Sequence, residues 1–147
     1  IPGVRLGAAF ANPPLLKELK KYRDPWSVNV LAQEAGMAAL QDEKYPSYVR
    51  KLLWESKEEF FKNFSQSQLK KLDLHPSTTN FALISLKDVE TDKEKLELLQ
   101  QLGEQGILLR DCYNFRGLEK GYLRTAIKDK SSMEALLKGL EKWEKEN

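Results

Sequence analysis

The 147 residues carry 24 basic and 22 acidic side chains, and a net charge of +2 is too small to argue for nucleic acid or an anionic membrane as a partner. A single cysteine, Cys112, excludes an internal disulfide framework and fits a cytoplasmic protein, and no apolar stretch approaches the length of a bilayer span. The length suits one domain with a real core.

In chain order, Val4 to Phe10 reads as a strand at 4–10. A lone terminal strand needs a sheet to supply partners for its backbone groups. The chain opens Ile1-Pro2-Gly3 without an initiator methionine, so the expectation is a piece of a longer protein. Asn12-Pro13-Pro14 is a helix start: an asparagine that can cap, then prolines whose missing N–H groups cost nothing in a first turn. A short helix follows through Leu15, Leu16, Leu19 and Tyr22 and stops before Pro25. Ser27 or Asn29 caps a second helix, whose Ala32, Ala35, Gly36, Ala38 and Ala39 favour close packing against other backbone. After Pro46, the residues Val49, Leu52, Leu53, Phe60, Phe61 and Phe64 share one face of a long helix and form a core stripe.

The segment STTNFALISL is bounded by turn formers and predicts a strand near 79–87. Thr91-x-x-Glu94 reads as a capping box for a helix through Leu96, Leu99 and Leu102, which Gly106 ends. Two strands follow, ILLRDC from 107 and GYLRTAI from 121. Ser131-x-x-Glu134 caps a last helix with an apolar face of Met133, Leu136, Leu137, Leu140 and Trp143. From the long helix onward the order is helix, strand, helix, strand, strand, helix. That order predicts an α+β layer, a short, mostly antiparallel sheet with helices packed on one face.

Several constellations are absent. Cys112 and the one histidine, His75, make no metal site by spacing, and no metal is expected. His75, before Pro76, reads as a loop residue, and Cys112 as a small buried hydrophobe. Gly3 and Gly7 form no phosphate-cradling loop. Lysines in 17–21, 70–71 and 128–130 read as solvated faces. The arginines stand out. Arg5 precedes an apolar run, and Arg110 and Arg124 sit inside apolar strands, where a charge is costly unless it meets an anion. Composition alone reads the three as surface or salt-bridged residues.

The surrounding motifs say more. IPGVRLG resembles the segment that follows the Schiff-base lysine in pyridoxal-phosphate enzymes of the aspartate aminotransferase fold (fold type I, class I/II). PWSVNVLAQEAG, TTNFALISL and GILLRDCYNFRGLEKGYLRTAI then occur in that family's order, so the resemblance covers essentially the whole chain. It is nearest to the branch that contains threonine-phosphate decarboxylase of cobalamin biosynthesis and histidinol-phosphate aminotransferase, and the RDCxNFxGL run favours the decarboxylase. Ala8 stands where many relatives have Tyr, and Arg116 where many have Pro, which leaves the subfamily open.

The resemblance implies that Arg5 contacts the phosphate of pyridoxal 5'-phosphate, that Arg124 grips the substrate carboxylate, and that Arg110 serves phosphorylated substrates. It implies three parts: a strand within 1–11 belonging to the large cofactor-binding domain, linking helices over 12–44, and the small C-terminal substrate-binding domain over 45–147. It places the Schiff-base lysine before residue 1, so this chain holds no catalytic residue and is expected to be inactive alone. The parent is expected to be a homodimer acting on a phosphorylated amino acid, with neither nucleic acid nor membrane as a partner. A non-catalytic interaction module is the remaining alternative.

Overall fold

Two asparagines start the first helices of one unit, Ile1–Ser47, in a computed structural model that describes residues 2–88, 92–118 and 120–147. Asn12 Oδ1 accepts the Leu15 N–H at 3.1 Å and opens α1 (Pro13–Lys20), with proline at its start. Asn29 Oδ1 accepts the Ala32 N–H at 2.8 Å and opens α2 (Val30–Gln41). Small residues on α2 serve close approach: Ala32 is buried, and Leu6 lies where a Cβ on Gly36 would collide with it. The strand expected at 4–10 is not formed. Pro2–Val4 make a single 3-10 turn, Arg5 has a φ of 60°, and residues 5–12 are irregular. The physical reason is pairing: no described residue offers this segment a neighbouring strand. α1 also stops at Lys20, short of Tyr22, whose ring is exposed.

The sheet lies in the other unit, Tyr48–Asn147. The long helix α3 (Lys44–Gln66) leads into it, with Pro46 inside the first turn, where its missing N–H is harmless. Asp42 Oδ1 accepts the N–H groups of Lys44 and Tyr45 at 3.1 and 2.9 Å, a cap that the proline signal obscured. Then come β1 (Leu72–His75), β2 (Phe81–Leu86), α4 (Lys93–Glu104), β3 (Arg110–Asp111), β4 (Tyr122–Ala126) and α5 (Lys130–Glu146). The sheet order is β1-β2-β4-β3, with every pairing antiparallel. β1 is an addition to the expected strands, and His75 ends it instead of lying in a loop.

Alternation divides the sheet into two faces. Leu72, Ala82, Ile84, Leu86 and Leu123 are buried with Phe60 and Phe64 of α3, Leu98 and Leu102 of α4, and Met133, Leu136, Leu140 and Trp143 of α5. The helices therefore cover one face, as the sequence pattern predicts. Across the opposite face, register aligns His75 with Leu83, Leu83 with Arg124, and Arg124 with Arg110.

The caps differ in detail from the sequence reading. Thr91 lies outside the described residues, and Asp92, at the N-cap of α4, makes no side-chain cap bond. At its other end α4 closes as expected: Gly106 has a φ of 76°, its N–H reaches Gly103 O at 2.9 Å, and the Ile107 N–H reaches Leu102 O at 2.9 Å. α5 is capped by Asp129, not Ser131. The Asp129 carboxylate accepts the Ser132 N–H at 3.0 Å and the hydroxyls of Ser131 and Ser132 at 2.5 and 2.8 Å. An ionised acceptor with three donors outcompetes a serine hydroxyl for this role.

Candidate functional site

Arg110 and Arg124 are direct cross-strand partners, joined by the pairing of β3 with β4. The Cys112 N–H reaches Tyr122 O at 3.1 Å, so two-residue alternation makes Arg110 and Arg124 a hydrogen-bonded pair as well. Like charges placed directly opposite destabilise a sheet. Among the described residues, neither guanidinium has a carboxylate partner within ion-pair distance. Two unneutralised arginines side by side are a poor structural choice and a good anion-binding one.

Aromatic rings hold them instead. The Arg124 guanidinium stacks on Phe81, 4.3 Å from the ring centroid, with Phe115 at 5.6 Å. Arg110 sits 5.8 Å from the same Phe115 ring and donates from Nη2 to Asn114 Oδ1 at 2.8 Å. Stacking uses the flat face of a guanidinium and leaves its N–H edge available, in a fork that matches carboxylate or phosphate oxygens. Arg124 is half-buried in the middle of the sheet, whereas Arg110 is exposed on the edge strand. The pair can thus take two anionic groups at different depths, or one doubly charged group between them.

The remaining expected residues fall elsewhere. Arg5 lies in the first unit, exposed, and its guanidinium has no acceptor among the described residues. His75 Nε2 and Ser85 Oγ are 2.7 Å apart, and the His75 ring lies 5.7 Å from that of Tyr122, on the arginine-bearing face. Cys112 is 1 % exposed, and burial pushes its thiol above the ordinary value, with the Arg124 charge acting in the opposite sense. Among the described residues no group of histidine, cysteine and carboxylate side chains could hold a metal ion, and no helix is long and apolar enough to cross a membrane.

Sequence reasoning missed two buried lysines. Lys57 donates to the carbonyls of Ser77 and Thr79 and lies over the rings of Trp54 and Phe61 at 5.6 and 5.8 Å. It ties α3 to the loop that leads into Phe81. Lys95 is 1 % exposed and pairs with Asp92 at 2.9 Å and Asp111 at 3.0 Å. The signal was present: Lys57 continues the spacing of Phe60 and Phe64, and Lys95 that of Leu98 and Leu102. A lysine on an apolar stripe marks a paired, interior charge.

Comparison with known proteins gives a consistent result. The family model described as "Aminotransferase class I and II" matches residues 1–140. The chain is 33% identical over 141 residues to the threonine-phosphate decarboxylase of Salmonella typhimurium, covering 95% of this chain and 37% of that protein. It is 32% identical over 140 residues to the histidinol-phosphate aminotransferase of Thermoanaerobacter pseudethanolicus, again covering 95% and 37%. Among solved structures, L-threonine-O-3-phosphate decarboxylase from Porphyromonas gingivalis is similar with a TM-score of 0.83 at 31% identity, over 99% of this chain and 43% of that one. The chain spans well under half the length of these relatives.

Proposed function

Because the chain belongs to the class I and II aminotransferase family, we propose that it is the substrate-binding part of a pyridoxal-phosphate enzyme acting on a phosphorylated amino acid. Decarboxylation of threonine phosphate, in cobalamin biosynthesis, is the favoured reaction. It is supported by 33% and 31% identity to decarboxylases of that substrate. Amino transfer from histidinol phosphate is the second reading, supported by 32% identity to an aminotransferase of that name.

The observation that carries the reading is the cross-strand pair. In this proposal Arg124, deeper and pressed against Phe81, receives the carboxylate, and Arg110, exposed at the sheet edge, receives the phosphate. A substrate with two anionic ends relieves the repulsion between the arginines and is held at two points. Two-point binding fixes its rotation, and orientation of this kind supplies a large share of a rate enhancement. Which bond at Cα is presented for cleavage depends on which anion each arginine holds. The same pair therefore serves decarboxylation or amino transfer.

The donor chemistry of Arg5 fits the phosphate of the cofactor: a guanidinium that stays charged, exposed, and free of protein acceptors among the described residues. When bound, the cofactor supplies the electron sink for the reaction at Cα. In this proposal residues 45–147 are the small substrate-binding domain and 12–44 link it to the cofactor-binding part, which brings the lysine. The enzyme is a cytoplasmic homodimer, and the 147-residue chain alone does not turn over substrate.

The full-length enzyme decides between the readings. Threonine phosphate is assayed for CO2 release, and histidinol phosphate for amino transfer to 2-oxoglutarate. CO2 release supports the decarboxylase and amino transfer the aminotransferase. Activity on neither refutes the proposal, and amino transfer from other amino acids then separates a related class I and II aminotransferase from an interaction module.

A further inference from the structure

Lys95 is the most deeply buried charged side chain of the described residues. A lysine on the apolar stripe of α4 takes an ammonium out of water, whereas a methionine of similar size would fill the same space without that cost. Burial works against the charge, but hydrogen bonds and the negative charges of Asp92 and Asp111 outweigh it and hold the ammonium above its ordinary value. The lysine is a permanent cation with two carboxylates attached.

One of these carboxylates leads to the arginine pair. In β3, alternation sends Arg110 to the open face and Asp111 toward the helices. Asp111 Oδ1, held by Lys95 Nζ at 3.0 Å, also accepts the Tyr113 N–H at 3.0 Å. That bond folds the turn after β3, where the Phe115 N–H reaches Cys112 O at 2.8 Å. The turn brings Asn114 back over the strand, and its Oδ1 accepts from Arg110 Nη2 at 2.8 Å. β3 has only 2 residues, so its pairing with β4 gives little hold on a long edge side chain. The chain of contacts from α4 supplies that hold.

We propose that Lys95, acting through Asp111 and Asn114, is a positioning residue that aims the Arg110 guanidinium and thereby sets the preference for a phosphorylated substrate. The inference rests on the reading of Arg110 as the phosphate-binding arginine.

The test uses the full-length enzyme with Lys95→Met and Asn114→Ala, each also made in an Arg110→Met background. Each single substitution raises KM for the phosphorylated substrate about ten-fold, the low end for a lost hydrogen bond to a charged group, and leaves kcat within about two-fold. In the Arg110→Met background neither substitution raises KM further, because the group they aim is gone. An unchanged KM in the singles overturns the proposal, as does an equal rise in the Arg110→Met background, which is what a general structural role gives. Should Lys95→Met fail to fold, Asn114→Ala decides alone, since Asn114 is exposed. If the wild-type enzyme turns over neither phosphorylated compound, the functional reading fails, and titration with inorganic phosphate decides the positioning. Weaker binding by Asn114→Ala than by wild type, with no such difference in the Arg110→Met background, upholds it; equal binding by both overturns it.

Discussion

Replacing Arg124 by methionine separates a structural arginine from a binding one. Two contributions to folding are lost, and they have opposite signs. The guanidinium stacked 4.3 Å from the Phe81 centroid is worth about 0.5–1 kcal/mol at a half-exposed site. Against this, a hydrogen-bonded antiparallel pair sets the two arginine Cα atoms about 5.5 Å apart. Charges at about 6 Å in water repel by about 0.7 kcal/mol. Methionine keeps the contact with Phe81, so Arg124→Met should change folding stability by no more than about 0.5 kcal/mol, or a melting shift below about 2 °C for a chain of this size. Anion-linked stability behaves differently. Threonine phosphate, which carries both anionic ends, stabilises the wild-type chain by about 1.4 kcal/mol at ten times its dissociation constant. The variant keeps Arg110 but loses the carboxylate clamp, so at the same concentration it should gain no more than about 0.4 kcal/mol. Urea denaturation followed by circular dichroism, with and without threonine phosphate at constant ionic strength, measures both quantities. A loss above about 2 kcal/mol without ligand, or equal stabilisation of both proteins by threonine phosphate, would refute the reasoning and make Arg124 a structural residue.

Leu123→Ala, fully buried in β4 opposite Ile84, should cost about 2–5 kcal/mol in the same denaturation assay; a cost under about 1 kcal/mol would mean that the sheet does not pack on the helices as described. Asp129 is held well below the ordinary carboxylate value by hydrogen bonds from Ser131 and Ser132. Its contribution to stability is therefore present above 3.8 and is lost as the pH falls below it. Asp129→Asn should give a flatter stability profile on acidification, and a profile parallel to wild type would contradict the cap. Cys112 is buried with its thiol pushed above the ordinary value, so an aromatic disulfide reagent at neutral pH should label it only in urea; stoichiometric labelling of the native chain would show that β3 opens readily.

Long-range pairing and local spacing left different traces in the sequence. Asn12 was legible as a cap because it precedes an apolar run, Asn29 as one of two candidates with Ser27, and Gly106 as a stop because only glycine takes its φ of 76° without cost. The stripe of α5 was legible from periodicity alone. β1 was not: with 4 residues, LDLH is too short to show a period, and it exists because Leu72 and Leu74 pair with Leu86 and Ile84. β3 came out shorter than ILLRDC because the Ile107 N–H is already bound to Leu102 O, closing α4, and Leu108 is 86% exposed. The two arginines were legible as anomalies in apolar strands. Their direct opposition was not, since it depends on the register in which β3 pairs with β4. The pairing of Lys95 with Asp111 joins residues of different elements, and only the folded chain brings them together.

The central claim is that Arg110 and Arg124 hold the two anionic ends of one phosphorylated amino acid. Its most direct test is kcat/KM of the full-length enzyme for threonine phosphate and for threonine, in the wild type and in Arg110→Met. The account predicts that the wild type prefers the phosphorylated compound by at least about a hundred-fold, as paired charge-assisted hydrogen bonds allow. In Arg110→Met most of that preference should disappear, while the rate on threonine stays near the wild-type value. A preference that survives the loss of Arg110 would contradict the account.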